Sequence, residues 1–235
     1  MRKITAVQIA AFLALFLLAA AAAVASTAAL LGRLPLGDFR GVALTLACVL
    51  LFYVYAIALY RIFLRLFPLR AGEIALGSQQ EFVYHVYVLF YLLLFYPFIL
   101  SGILPAPLAR TVYIALGARL GDNTYSQGII LDPPFVTIGA NSVVGLGAIL
   151  CPHIIEGKRL AHYPIVIGDN VTIAGTAIVM SDVVIGDGAT VAVGAVVAKG
   201  SRIGPGEYWS GNPARPRGVR AKASAENAAA DRVES

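Results

Sequence analysis

The sequence predicts a set of membrane-embedded α-helices followed by an all-β parallel solenoid with three-sided rungs. Three observations carry that prediction. The chain of 235 residues is 59% apolar and only 13% charged, too apolar for a wholly soluble domain. Its first 116 residues hold three long stretches almost free of charge, whereas Gly, Asp and Pro punctuate the remainder. Beyond residue 116 an apolar side chain recurs every sixth position.

Residues 4–31 contain no charged side chain, and about 20 residues of helix suffice to cross a bilayer core. A second apolar stretch covers 41–60 and a third covers 82–104, with Pro97 and Ser101-Gly102 late in it. Arg2-Lys3 and Ala23-Val24-Ala25 give the first stretch some features of a cleaved leader. Its length, well beyond the roughly 7–15 apolar residues of a leader core, favours an uncleaved anchor.

Arg2 and Lys3, with Arg61, Arg65 and Arg70 after the second stretch, put both flanks on the cytoplasmic side. The turn 32–40 then faces outward, although it carries Arg33 and Arg40 itself. A full third crossing would place the C-terminal domain outside, whereas a re-entrant path broken near Pro97 or Gly102 would return it to the cytoplasm. The sequence leaves both open and favours the cytoplasm, in a multi-pass protein of the inner membrane.

Steps of six from Ile167 reach Ile173, Val179, Ile185, Val191, Val197, Ile203 and Trp209. Four residues after each of the first six stand Val171, Ala177, Val183, Ala189, Ala195 and Ser201, all small or β-branched. Ile138, Val144 and Leu150 continue the spacing upstream with Ser142 and Ala148, and Leu120 lies three steps before Ile138. An α-helix cannot align such a column, because six residues at about 100° each end roughly 120° out of phase. A coil whose rung is three short strands and three corners can, and stacked rungs bury one continuous core. Gly139, Gly168, Gly186 and Gly204 directly follow column residues, and IGDN and IGDG are turn chemistry.

Counting six from Leu150 fails, and the next column residue is Ile167, so CPHIIEGKRLAHYP interrupts the register. Solenoids place function at such insertions. This one holds His153, Glu156, Lys158, Arg159 and His162, and thus two of the three histidines in the chain. A histidine near its ordinary pKa suits removal of a proton from an attacking hydroxyl or amine. Glu156, in the pattern HIIE, could orient the His153 ring or bind substrate. Cys151 reads first as a small buried side chain and second as a nucleophile.

Two cysteines, one in an apolar stretch, give no disulfide framework. The net charge of +5 is spread along the chain and flanks the apolar stretches, which suits anionic headgroups rather than nucleic acid.

On these repeats, with LGARLG at 116–121 and SGNPAR at 210–215, the chain resembles the hexapeptide-repeat acyltransferases. Within them it resembles the galactoside and xenobiotic acetyltransferases and the membrane-associated repeat domain of poly-lysine-synthetase-like proteins. The resemblance implies a left-handed parallel β-helix over 117–215, a membrane anchor over 1–116 and a polar tail over 216–235 that reads as disordered. It implies a homotrimer, acetyl-CoA or another acyl-CoA as donor, no permanently bound cofactor and no metal.

It further implies His153 as the catalytic base, with Glu156 beside it. Gly175, Val193, Ala198, Lys199 and Arg215 match the family's coenzyme-groove positions, and Arg217, Arg220 and Lys222 could add to a phosphate or lipid contact. The expected activity is O-acetylation of an envelope glycan or lipid-linked sugar. The alternative is a non-catalytic trimeric membrane scaffold.

Overall fold

The computed structural model describes residues 2–35 and 37–219. The chain forms two compact units, Met1–Arg70 with Ile74–Pro97, and Ala71–Glu73 with Phe98–Ser235.

The first unit contains α1 (Ala6–Leu31), α2 (Arg40–Leu66) and α3 (Gln79–Phe90). After α3 the helix loosens into a π-turn over Tyr91–Phe95, and α4 (Tyr96–Leu100) follows. On α1, Phe12, Ala19, Ala23 and Thr27 fall on one stripe and are buried, the alanines letting neighbouring backbones approach. Ser26 and Tyr55 share a hydrogen bond of 2.6 Å, and Phe16 meets Phe52 edge-on at 5.3 Å. The opposite faces stay apolar and exposed, with Leu13, Leu17 and Leu30 on α1 and Leu46, Leu50 and Val54 on α2. Three helical stretches, Ala6–Leu31, Gly37–Leu66 and Gln79–Leu100, are long and apolar enough to cross a membrane by length and composition.

In the second unit α5 (Ala106–Leu116) leads into three parallel sheets. One stacks Arg119–Leu120, Val136–Ile138, Ile165–Ile167, Val184–Ile185 and Arg202–Ile203. The next stacks Tyr125–Ser126, Val143–Val144, Thr172–Ile173, Thr190–Val191 and Glu207–Ser210. The third stacks Ile129–Ile130, Ile149–Leu150, Ile178–Val179 and Val196–Val197. The registers pair Ile167 with Ile185, Ile173 with Val191 and Val179 with Val197, so the six-residue columns run along the prism. Their side chains and the small partners Ala148, Ala177, Ala189 and Ala195 form one buried core. A hexapeptide repeat carried by three parallel sheets fits a left-handed β-helix.

The corners divide the labour between two residue types. Asn123, Asn141 and Asn170 hold left-handed backbone, which Gly188 and Gly206 take over in later rungs. Gly139 is needed for space instead: a Cβ there would meet the Gly168 carbonyl carbon at 2.6 Å and the Asp169 nitrogen at 2.8 Å. Gly139, Gly168 and Gly186, each directly after a column residue of the first sheet, therefore set the rung spacing and do not make the turn.

At the C-terminal end Trp209 pairs with Val191 and donates its indole N–H to Glu207 Oε2 at 2.8 Å. The chain then folds back as Arg215–Val219, antiparallel to Glu207–Ser210. Arg217 lies in this strand, and Arg220 and Lys222 lie outside the described residues.

Candidate active site

The interruption in the register is a β-hairpin, His153–Glu156 with Arg159–His162, turned at Gly157 in left-handed conformation. His153 stands opposite His162, and Glu156 opposite Arg159. A third strand, Gly72–Glu73, joins the outer edge antiparallel, with Gly72 opposite His162 and Glu73 opposite Ala161. The Glu73 carboxylate holds Arg159 at 2.6 Å.

His153 Nδ1 lies 2.5 Å from Asp132 Oδ2. Asp132 sits in left-handed backbone just before the turn Pro133–Phe135. It arrives there because Leu131 donates its backbone N–H to Leu150 on the next rung, which sets residue 132 beside the start of the hairpin. The carboxylate is almost wholly buried, whereas the His153 side chain keeps 28% of its surface open. The second imidazole, His162, is fully buried, stacks on Phe135 at 4.6 Å and brings Nε2 to 3.6 Å from Asp132 Oδ1.

Burial alone would raise the Asp132 carboxyl, but the histidines outweigh it and hold it far below the usual carboxylate range. Burial also works against a charged His153. The hydrogen bond to Asp132, with Cys151 beside the ring, overcomes it and raises the imidazole to about 10. The resting pair is thus an imidazolium on a carboxylate. Once the ring is neutral, Asp132 keeps the proton on Nδ1 and leaves the Nε2 lone pair for an incoming proton. Cys151 Sγ approaches that nitrogen at 3.6 Å.

Glu156 is placed differently from the sequence expectation of a carboxylate beside His153. It is half exposed on the hairpin, bonded to Lys199 and 3.6 Å from Arg159, and Lys199 holds its carboxyl below the ordinary value. The carboxylate on His153 is Asp132, which the sequence reading missed.

The expected coenzyme residues fall on two corners. Gly175 accepts the backbone N–H of Gly194, next to exposed Val193, at the corner between the second and third sheets. Ala198 and exposed Lys199 lie across the third sheet, on the corner that also carries Cys151 and the hairpin. Arg215, exposed, opens the last strand opposite Ser210.

Residues 164–199 match the model described as bacterial transferase hexapeptide (six repeats). The match covers the middle rungs of the prism and gives their six-residue repeat its family likeness. Among solved structures, a hexapeptide-repeat acetyltransferase of Vibrio cholerae O1 biovar eltor, complexed with acetyl coenzyme A, is 28% identical with a TM-score of 0.41. The alignment covers 45% of this chain and 62% of that one. A maltose O-acetyltransferase from Clostridium difficile 630 is 26% identical, TM-score 0.42, over 46% of this chain and 62% of its own. A galactoside acetyltransferase in complex with coenzyme A is 27% identical, TM-score 0.41, over 45% and 56%. The chain therefore spans less than two thirds of each of these structures. No curated protein matched the sequence.

Proposed function

We propose that the chain is a membrane-anchored, CoA-dependent acyltransferase, an O-acetyltransferase acting on a hydroxyl of an envelope glycan or lipid-linked sugar. The observation that carries this reading is the Asp132–His153 pair at 2.5 Å, held where a hairpin interrupts a hexapeptide prism. The neutral His153 takes the acceptor's O–H proton on Nε2 as the oxygen attacks the thioester carbonyl, and the coenzyme thiolate leaves. Asp132 stabilises the imidazolium so formed.

Two further features support the reading. His153 and Lys199 share one edge of the third sheet, while Gly175 and Val193 occupy the other. One prism thus offers two half-sites that a neighbouring copy would complete, as a trimer of left-handed prisms would. The apolar outward faces of α1 and α2 suit lipid contact. An anchor of this kind raises the effective concentration of a membrane-borne acceptor and adds nothing for a soluble one.

The test is calorimetry of acetyl-CoA on purified protein, followed by turnover with His153→Ala. Micromolar binding that survives in His153→Ala, with acetyl transfer lost and the oligomer intact, is the expected result. A folded oligomer that binds neither acetyl-CoA nor longer acyl-CoAs overturns it in favour of a non-catalytic scaffold.

A further inference from the structure

We infer that the third apolar segment, Gln79–Leu100, does not cross the bilayer but enters one leaflet and returns to the face it left. The inference rests on the membrane reading of α1 and α2 proposed above.

Both ends of the segment are fastened to the hexapeptide domain. Ahead of it, Gly72–Glu73 is the outer strand of the hairpin sheet, and Glu73 is ion-paired to Arg159. Behind it, α5 packs on the first rungs. Tyr113 is buried there, donates its hydroxyl to the Gly128 carbonyl at 3.1 Å and accepts the Ile130 N–H at 3.2 Å. Arg110 donates to the Gly121 carbonyl at 3.1 Å. A prism with charged corners and exposed loop backbone stays out of the hydrocarbon, so both anchoring points lie on one side of it.

A straight crossing would leave Leu100 on the far side. The chain has only residues 101–105 in which to come back before α5 begins. Fully extended, that connection reaches about 20 Å, short of the roughly 30 Å of a bilayer core. A bend inside the segment keeps both ends on one side, and the segment carries the features of one. Its helix passes through the π-turn at Tyr91–Phe95, Pro97 follows at once, and Gly102 takes a left-handed backbone after α4. Its composition agrees, since it carries Glu81 and His85, both buried, whereas α1 and α2 hold neither an acidic residue nor a histidine.

The start of the segment is tied to the start of α1. Arg2 meets the Glu81 carboxylate at 3.0 Å and the Ile74 carbonyl at 2.7 Å. One crossing by α1 and one back by α2 return the chain to that same side. Arg2, Lys3, Arg61, Arg65, Arg70 and the hexapeptide domain then share one face, which the positive-inside rule makes cytoplasmic. Strand pairing through His162 sets His153 two strand spacings from Gly72, about 10 Å. Gly72 is six residues along the chain from the end of α2, so the base, on this inference, lies on the cytoplasmic side of the membrane. An acceptor carried by that leaflet is the substrate class this path serves.

The test uses the full-length chain in sealed membrane vesicles with Cys48→Ala and Cys151→Ala as background. Single cysteines are introduced as Leu34→Cys, Leu76→Cys and Ile103→Cys, all at exposed positions, and labelled with a membrane-impermeant maleimide. Labelling of Leu76→Cys and Ile103→Cys from one side, with Leu34→Cys reacting only from the other, is expected. Labelling of Ile103→Cys from the side of Leu34→Cys overturns the re-entrant path. Release of the protein by alkaline carbonate overturns the membrane reading itself. Neither readout depends on activity, so a failed acyl-CoA assay leaves this result standing.

Discussion

Asp132 and His153, 21 residues apart, meet at 2.5 Å across the boundary between a regular rung and the hairpin that interrupts the next one. The carboxylate is buried and the imidazole keeps 28% of its surface open, so the first fixes the geometry of a ring that stays accessible. Under the proposed function this asymmetry makes Asp132 the positioning residue and His153 the base, and the two should respond differently to substitution.

At high pH, where His153 is neutral in both proteins, Asp132→Asn should lower kcat by about 10²–10⁴-fold, with little change in the KM for acetyl-CoA. The ring loses the partner that fixes its tautomer and orientation. The ascending limb of the rate profile, set by loss of the His153 proton, is the sharper readout. His153 acts only when neutral, and Asp132 raises its pKa to about 10, so wild-type kcat/KM should keep rising with pH above neutrality. In Asp132→Asn the limb should move down toward the ordinary histidine value of about 6.5. A profile that stays in place while kcat falls would mean that Asp132 supports the fold alone.

The same pair makes stability depend on pH. His153 binds its proton more tightly when folded, so its contribution is complete below about 6.5 and disappears as pH rises through about 10. Asp132 is shifted the opposite way, and its contribution fades only in acid, below the ordinary carboxylate pKa. Thermal unfolding should accordingly show Tm falling between pH 6.5 and 10 in wild type and a flatter profile in His153→Ala. Equal slopes in the two proteins would refute the assignment.

Glu156 separates two roles by the parameter it moves. Bonded to Lys199, it competes with any anion that Lys199 would bind. Glu156→Ala should lower the KM for acetyl-CoA by a few fold and leave kcat nearly unchanged, whereas Lys199→Ala should raise that KM. A hundredfold loss of kcat in Glu156→Ala would restore the carboxylate to the catalytic role that the sequence pattern suggests.

The repeat was legible because its cause is purely geometric: residues six apart must stack when three short strands close a rung, whatever surrounds them. The place of His153 was legible because counting by six fails there. Asp132 was not, since its place depends on how the rung containing Ile130 lies over the one containing Leu150, and that register is shortened between Ser126 and Ile130. Setting Ile130 against Leu150 and counting forward on both strands would have put residue 132 opposite 152, one position from His153. Gly72–Glu73 gave no signal at all, because a strand of two residues has no periodicity and its partner is distant in the chain.

The two kinds of corner residue allow a last, purely structural prediction. Gly188 has φ +68, and no atom comes closer than 4.0 Å to the point a Cβ would occupy. Gly188→Ala therefore meets only the intrinsic cost of left-handed backbone, about 1–2 kcal/mol. Gly139 has ordinary backbone, yet an added Cβ there would lie 2.6 Å from the Gly168 carbonyl carbon and 2.8 Å from the Asp169 nitrogen, both main-chain atoms of the next rung. Those atoms cannot move without lengthening the ladder bonds on either side, including Gly139 N–H to the Ile167 carbonyl at 2.8 Å. Gly139→Ala should therefore lower Tm more than Gly188→Ala, although only the second glycine occupies a conformation that L-residues avoid. The reverse order in denaturation of the two variants would show that corner conformation, and not rung spacing, limits this prism.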